Sequence, residues 1–269
     1  MSNYETRFGG IARLYGIQQA QWIQQAHFCV VGIGGVGTWV AEGLARSGIG
    51  KITLIDLDDI CTTNTNRQIH AMQDTIGKAK VDVMADRIKA INPDCDVTCI
   101  EDFVTADNLA EIFGQKDNVK FDLVIDAIDS INAKTAMIAH CKRNKLPIIV
   151  TGGAGGQIDP SAIEYGDLAK TTHDPLLSKV RNLLRRDFNF SKNTKRKFAV
   201  DCVYSTEQLR YPQLDGSVCQ AKASAEGSTR LDCNSGFGAI TMVTGSFGFF
   251  AASKAIQNYL SKKTRELEE

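Results

Sequence analysis

The chain has 269 residues, of which 43% are hydrophobic and 23% charged, with 31 basic and 31 acidic side chains in balance. This is ordinary globular composition, so it excludes an intrinsically disordered chain and leaves any attraction to a polyanion to local clustering rather than net charge. Eight cysteines, at 29, 61, 95, 99, 141, 202, 219 and 233, form no CxxC pair, which points to thiols in a reducing compartment and away from a disulfide framework. The opening MSNYETRFGG has neither an apolar core nor a cleavage motif, so a cytoplasmic location is expected. One domain is expected over residues 1–269: an N-terminal helix over 1–25, a nucleotide-binding core over 26–155, and a substrate or dimer region over 156–269.

In chain order, HFCVVGIG (27–34) is an apolar run typical of a strand buried on both faces, followed by a helix from about Val36 to Ser47. KITLID (51–56) is the second strand. GKAKVDVMADRIKAIN places Val81, Met84, Ile88 and Ile91 at helical spacing before Pro93 stops the helix. DVTCIE, FDLVIDA and PIIVTG read as three more strands, with helical stretches near 105–113 and 130–145 between them. Such alternation predicts an α/β fold with a doubly wound, mostly parallel sheet. Past Gly152 a glycine-rich turn precedes an antiparallel strand, a helix opening at Asp174-Pro175, a basic loop SKNTKRK, a strand FAVDCVYS and an irregular polar stretch over 209–232. Cys233 to Ser253 carries no charge for 21 residues, enough to span a bilayer on length alone. Its four glycines and its serines and threonines favour a close-packed buried helix instead, with membrane association as the weaker alternative.

Gly32-Ile33-Gly34-Gly35-Val36-Gly37 sits between a strand and a helix, where backbone N–H groups can approach phosphate oxygens, and Asp56 ends the next strand where ribose hydroxyls would lie. NAD and ATP both satisfy this much. Asn64, Arg67 and Gln68 in TNTNRQIH, with Lys80 in IGKAK, add donors and cations at the same sheet edge. Nucleotidyl transfer needs such groups to stabilise charge on phosphate, whereas hydride transfer does not. Asp126 and Asp129, in DAIDS, stand where they could hold Mg²⁺ against a triphosphate; for Asp126 a helix-capping role is the alternative.

GIGGVG, LIDLD, NTNRQ, IGKAK and DAIDS resemble the ThiF/MoeB family of ubiquitin-activating-enzyme-like adenylyltransferases over roughly residues 10 to 160. The resemblance implies ATP and Mg²⁺ as cofactors and AMP transfer to a carboxylate. Gly32, Gly34, Gly35, Gly37, Asp56, Asp58 and Gln68 would bind nucleotide, Asn64, Arg67 and Lys80 would bind phosphate and act in catalysis, and Asp129 would attend the metal. Arg7, in ETRFGG, resembles an arginine that reaches the partner's site, so a homodimer is implied. The paired CxxC motifs by which many members hold zinc are missing, so no zinc is expected. TGGAGGQIDP, DLAKT, DGSVC and DCNSGFGA resemble a tRNA-modifying subfamily whose members dehydrate and cyclise a threonylcarbamoyl-modified adenosine. This implies tRNA as partner, with a SufE-like protein and a cysteine desulfurase as further candidates and DNA excluded. Activation of a ubiquitin-like or sulfur-carrier protein, and a non-catalytic nucleotide-binding scaffold, stand as alternatives.

Cys233 precedes the apolar segment and is either a thiol activated by a helix N-terminus or a small buried residue. His70 and His140 read as structural. From Lys179 to Lys197 there are eight basic residues and one acid. Arg185, Arg186, Lys195 and Arg196 are the candidate RNA contacts, with Phe188 and Phe190 as candidate stacking surfaces; a solvated helix face is the other reading.

Overall fold

A computed structural model describes residues 3–114, 120–213, 215–220 and 237–268. Helices α1 (Asn3–Tyr15) and α2 (Ile17–Gln25) come first, then β1 (His27–Val31), α3 (Gly37–Arg46), β2 (Lys51–Ile55), α4 (Lys80–Ile91) and β3 (Asp96–Ile100). Next are α5 (Leu109–Ile112), β4 (Leu123–Asp126), α6 (Ile131–Arg143), β5 (Ile148–Thr151), β6 (Ile163–Asp167), α7 (Pro175–Asp187) and β7 (Asp201–Ser205). A short antiparallel pair, β8 (Tyr211–Pro212) and β9 (Val218–Cys219), precedes the long α8 (Thr241–Glu268).

The main sheet runs β3-β2-β1-β4-β5-β7-β6. Every pairing is parallel except that of the edge strand β6 with β7, so the expected α/β sheet is the one observed. Strand order reverses between β1, which leads outward to β2, and β4 on its other side. The carboxyl ends diverge there and leave a crevice in which doubly wound sheets bind ligands. Alternate residues of β1 serve two cores: Phe28 and Val30 pack with α3, α4 and α8, while Cys29 and Val31 pack with α6 and α7. Burial on both faces explains why the strands read as unbroken apolar runs.

Two element expectations are corrected. The N-terminal helix over 1–25 is two helices, because Gly16 takes φ 90, a left-handed backbone that ends α1 before α2 starts. The apolar helix begins at Thr241, after the non-helical residues 237–240, and carries the charged tail to Glu268 as part of the same helix. Its glycines face α3. A methyl group at Gly248 would lie 2.5 Å from Trp39 Cβ, and one at Gly43 on α3 would meet Ala252 at 3.2 Å. Close approach of two backbones through small residues accounts for that composition. No described helix is long and apolar enough to cross a membrane.

Candidate active site

The carboxyl ends of β1, β2, β4 and β5 open into a cleft of about 1100 Å³. That is at the large end of ligand clefts, roughly 300–1,000 Å³, and leaves room beyond one nucleotide. Gly32, Gly34, Gly35, Asp56, Asp58, Asn64, Arg67, Gln68, Lys80 and Asp129 all line it. So do four groups that sequence reasoning did not assign to the site: Phe103–Ala106 after β3, Gly152–Gly155 after β5, the segment Phe237–Ala239, and Thr244 of α8.

The glycine loop is shaped from below. Gly32 has φ 86, and a side chain there would come within 2.8 Å of Ile128, so both conformation and space demand glycine. Gly37 does not line the cleft; a methyl group on it would overlap the Gly32 carbonyl, so its role is to let α3 start hard against the loop. Asp56 holds the loop directly. Its carboxylate accepts from Ile33 N at 2.6 Å and from Asp58 N at 2.9 Å. A carboxylate has about four acceptor sites, so capacity remains for a ribose hydroxyl. Burial pushes its pKa up, against the opposing pull of Lys80 and the two backbone N–H groups. Beneath the loop, fully buried His70 bonds the Ile33 carbonyl through Nε2 at 3.0 Å. Burial lowers its pKa to about 4, so the ring is neutral near pH 7 and Nε2 is the donor.

The cations approach from β2's side. Lys80 is buried at the first turn of α4, and its Nζ lies 2.6 Å from Asp58 Oδ2 and 3.9 Å from Asp56 Oδ1. Asp58's side chain is 54% exposed, so this pair sits at the cleft surface where an incoming anion can compete for the lysine. Arg67 lies across the glycine loop, with Cδ 3.4 Å from where a Gly35 side chain would begin. One guanidinium nitrogen, Nη1, donates to Thr63 O and Asn66 Oδ1 at 2.7 and 2.9 Å. The Arg67 carbonyl accepts from Trp39 Nε1 at 3.0 Å and Thr244 Oγ1 at 3.4 Å, while Thr241 and Ala239 bond Asn66. The start of α8 therefore fixes the arginine's backbone. Asn64 lines the cleft, and its Oδ1 accepts from Cys61 N at 3.0 Å. Gln68 is buried beside Gly34, and its Oε1 has no hydrogen-bond partner among the described residues.

Asp126 and Asp129 separate sharply. Asp129 is exposed at the cleft wall. Asp126 is 0% exposed and paired with Lys134, also 0% exposed, at 2.7 Å, so it neither faces the cleft nor can receive a metal from it, which corrects the paired-carboxylate expectation. Burial raises its pKa and the Lys134 charge opposes that rise. Lys134 Nζ also donates to Thr151 O at 3.1 Å, while Asp174, the cap of α7, accepts from Gly153 N at 2.9 Å. This network knits the ends of β4 and β5 under the cleft. The lysine was legible only as the residue eight places after Asp126, where the first turn of α6 points back to the strand end.

Among the other candidates, Arg7 donates to Ile91 O at 3.2 Å, at the far end of α4 from Lys80 and outside the cleft of its own chain. Phe188 and Phe190 pack inward against the second core, and Phe190 meets Phe198 edge-on at 5.0 Å, so they are not stacking surfaces. Arg186 is bidentate with Asp187 at 2.7 and 2.9 Å, and Arg185 stacks on Phe198 at 5.1 Å. Lys195 and Arg196 stay exposed. Cys233 lies outside the described residues.

Comparison with known proteins returns the same chemistry from other chains. The model of the ThiF family matches residues 10–269. The tRNA threonylcarbamoyladenosine dehydratase of Escherichia coli (strain K12) is 59% identical over 263 residues, covering 98% of this chain and 97% of that one. Two solved structures of E. coli tRNA N6-threonylcarbamoyladenosine dehydratase, one in complex with ATP and one with AMP, superpose with a TM-score of 0.86 at 53% identity, each over 98% of both chains.

Proposed function

The chain belongs to the ThiF family, and from that premise we propose how it performs ATP-dependent dehydration of N6-threonylcarbamoyladenosine in tRNA. The E. coli dehydratase is solved in complex with ATP, which supports ATP as the co-substrate here. In this reading its phosphates lie on the N–H groups of Gly34 and Gly35, those of Gly32 and Ile33 being held by Ile55 O and Asp56, and its ribose lies against Asp56. The threonyl carboxylate of the modified nucleoside attacks the α-phosphorus; one oxygen–phosphorus bond forms, another breaks, and pyrophosphate leaves. Arg67, Lys80 and the Asn64 amide stabilise the charge that builds on the phosphates during that step. The neighbouring ureido group then attacks the activated acyl carbon, loses a proton and expels AMP. The carboxylate oxygen departs with AMP, so the nucleoside has lost one water overall. Because this second step is intramolecular, proximity supplies much of the rate and no protein nucleophile is required.

The observation that carries the reading is the gathering of Arg67, Lys80 and Asn64 over a glycine loop in one cleft, on a chain alike over 98% of its length to a tRNA-modifying enzyme. Lys80 begins the cycle paired with Asp58, and phosphate takes that acid's place. Magnesium fits the donor set: Asp129 is an exposed carboxylate at the cleft, and Mg²⁺ is commonly held by one or two carboxylates with substrate phosphates rather than by a protein cage. When bound it neutralises phosphate charge. A homodimer belongs to the same reading, supported by Met242, Phe249 and Phe250, exposed on one helix.

Mass spectrometry of nucleosides from modified tRNA, incubated with the protein and ATP, tests the proposal. The expected product is lighter by one water, formed with AMP and pyrophosphate. An unchanged nucleoside, with pyrophosphate release that instead requires a small carrier protein, would overturn it in favour of carrier activation.

A further inference from the structure

The strand ends opposite the cleft carry a second concavity. It measures about 420 Å³ and lies where β4, β5 and β7 begin, between the end of α6 and the last turns of α8. Lys142 and Lys145 line one side, Lys262 and Arg265 the other. Lys262 and Arg265, three residues apart on α8, share one helical face, whereas Lys145 follows the end of α6. The acids in the wall are Asp122 and Asp201, and both are already engaged. Asp122 accepts from His27 N at 2.9 Å and Asp201 from Asn258 Nδ2 at 2.7 Å. Lys262 has Glu266 at 3.7 Å, an exposed pair that competes weakly for it.

Lys142 and the neighbouring Arg143 also serve the negative end of α6. Arg265 likewise stands in the last turn of α8 and donates to Ser261 O at 3.2 Å, but helix ends do not account for Lys145, which lies past α6, or for cations of both helices lining one hollow. The basic loop joins this edge as well. Its end is clamped where Asp167 accepts from Phe198 N at 2.9 Å and Ala199 N at 2.7 Å. Lys170 Nζ donates to Thr194 O at 2.6 Å and Lys142 Nζ to Ala199 O at 3.0 Å. Ala199 itself lines the groove, so exposed Lys195, Arg196 and Lys197 lead into it.

We propose that this groove binds the phosphate backbone of the tRNA substrate at a place distant from the nucleotide being modified. The proposal rests on the tRNA reading above and adds a site to it. Strands of four or five residues at about 3.3 Å each separate groove and cleft by roughly 15 Å, so one nucleotide cannot occupy both. A folded RNA can. Two facing rows of cations suit a polyanion that passes between them, and sequence-independent binding of phosphate needs no more than that.

The test compares full-length modified tRNA with a trinucleotide carrying the modified adenosine. The variant is Lys142→Glu, Lys145→Glu, Lys262→Glu and Arg265→Glu together, with ATP affinity as the check on folding. Affinity for full-length tRNA should fall more than tenfold, and its dependence on log salt should become shallower by up to about 3.6, at about 0.9 for each phosphate that is no longer neutralised. ATP affinity and dehydration of the trinucleotide should change less than twofold. If the quadruple variant does not fold, Lys145→Ser with Arg265→Ser, both exposed, should reduce the slope by about 1 to 2. Full-length tRNA affinity and salt slope equal to wild type, with ATP binding intact, would overturn the proposal. Loss of dehydration by the wild-type protein on both RNAs would instead sink the functional reading, while tRNA affinity would still report on the groove.

Discussion

Two lysines in this molecule each face an aspartate at or just beyond a strand's carboxyl end. At the end of β2, Lys80 meets Asp58 at 2.6 Å; at the end of β4, Lys134 meets Asp126 at 2.7 Å. The geometry is nearly the same and the surroundings are not. Asp58 is half exposed at the cleft, whereas Asp126 and Lys134 have no exposure. A pair whose acid is open to water can exchange that acid for a phosphate, so buried Lys80 can serve a ligand. A fully buried pair cannot part without stranding a charge, so Lys134 serves the fold.

Removing one partner should separate the two pairs. Lys134→Met leaves Asp126 alone in the interior and should lower unfolding free energy by about 3–5 kcal/mol, measured by denaturant titration. The double change Lys134→Met with Asp126→Leu should recover most of that loss; no recovery would mean the charges themselves are needed. Lys80→Ala or Arg67→Ala should retain the fold while AMP transfer falls by about 10²–10³-fold. Wild-type turnover in both would end the assignment of the cleft cations.

Acid should act on the cleft side. His70 has its pKa lowered from 6.5 to about 4 by burial, so the folded state resists its protonation. Stability from this group is full above about pH 6.5, is lost as pH falls toward 4, and changes no further below that. The limb amounts to at most about 3 kcal/mol, and His70→Gln should flatten it in pH-dependent thermal melts. The smallest effect belongs to Asp58→Asn. It frees Lys80 from an exposed partner and should shift stability by less than about 1 kcal/mol, with ATP affinity unchanged or modestly improved in calorimetry.

Much of the cleft was legible along the chain. GIGGVG between a strand and a helix, Asp56 at a strand end, NTNRQ beyond it and IGKAK at a helix start all occupy ends of elements, and a parallel sheet brings such ends together wherever its order reverses. The supports were not legible. The hold on Arg67 comes from Thr244, 177 residues away, and the neutral His70 beneath the loop looks like any histidine in a polar stretch. The basic segment was legible only as charge, because a count does not show that Arg186 pairs with its neighbour Asp187 or that Phe190 packs against Phe198.

Sequence alone determined the fold class and the composition of the nucleotide end, since strand and helix periodicity and strand-end residues are local properties that survive in one dimension. Tertiary structure decided which aspartate of DAIDS faces the cleft, where the apolar helix begins, and that basic side chains from α6 and α8 meet at the far edge of the sheet. Each of these depends on burial and on partners brought together by packing. Desolvation gives identical residue types opposite roles, and it has no value until the chain has folded.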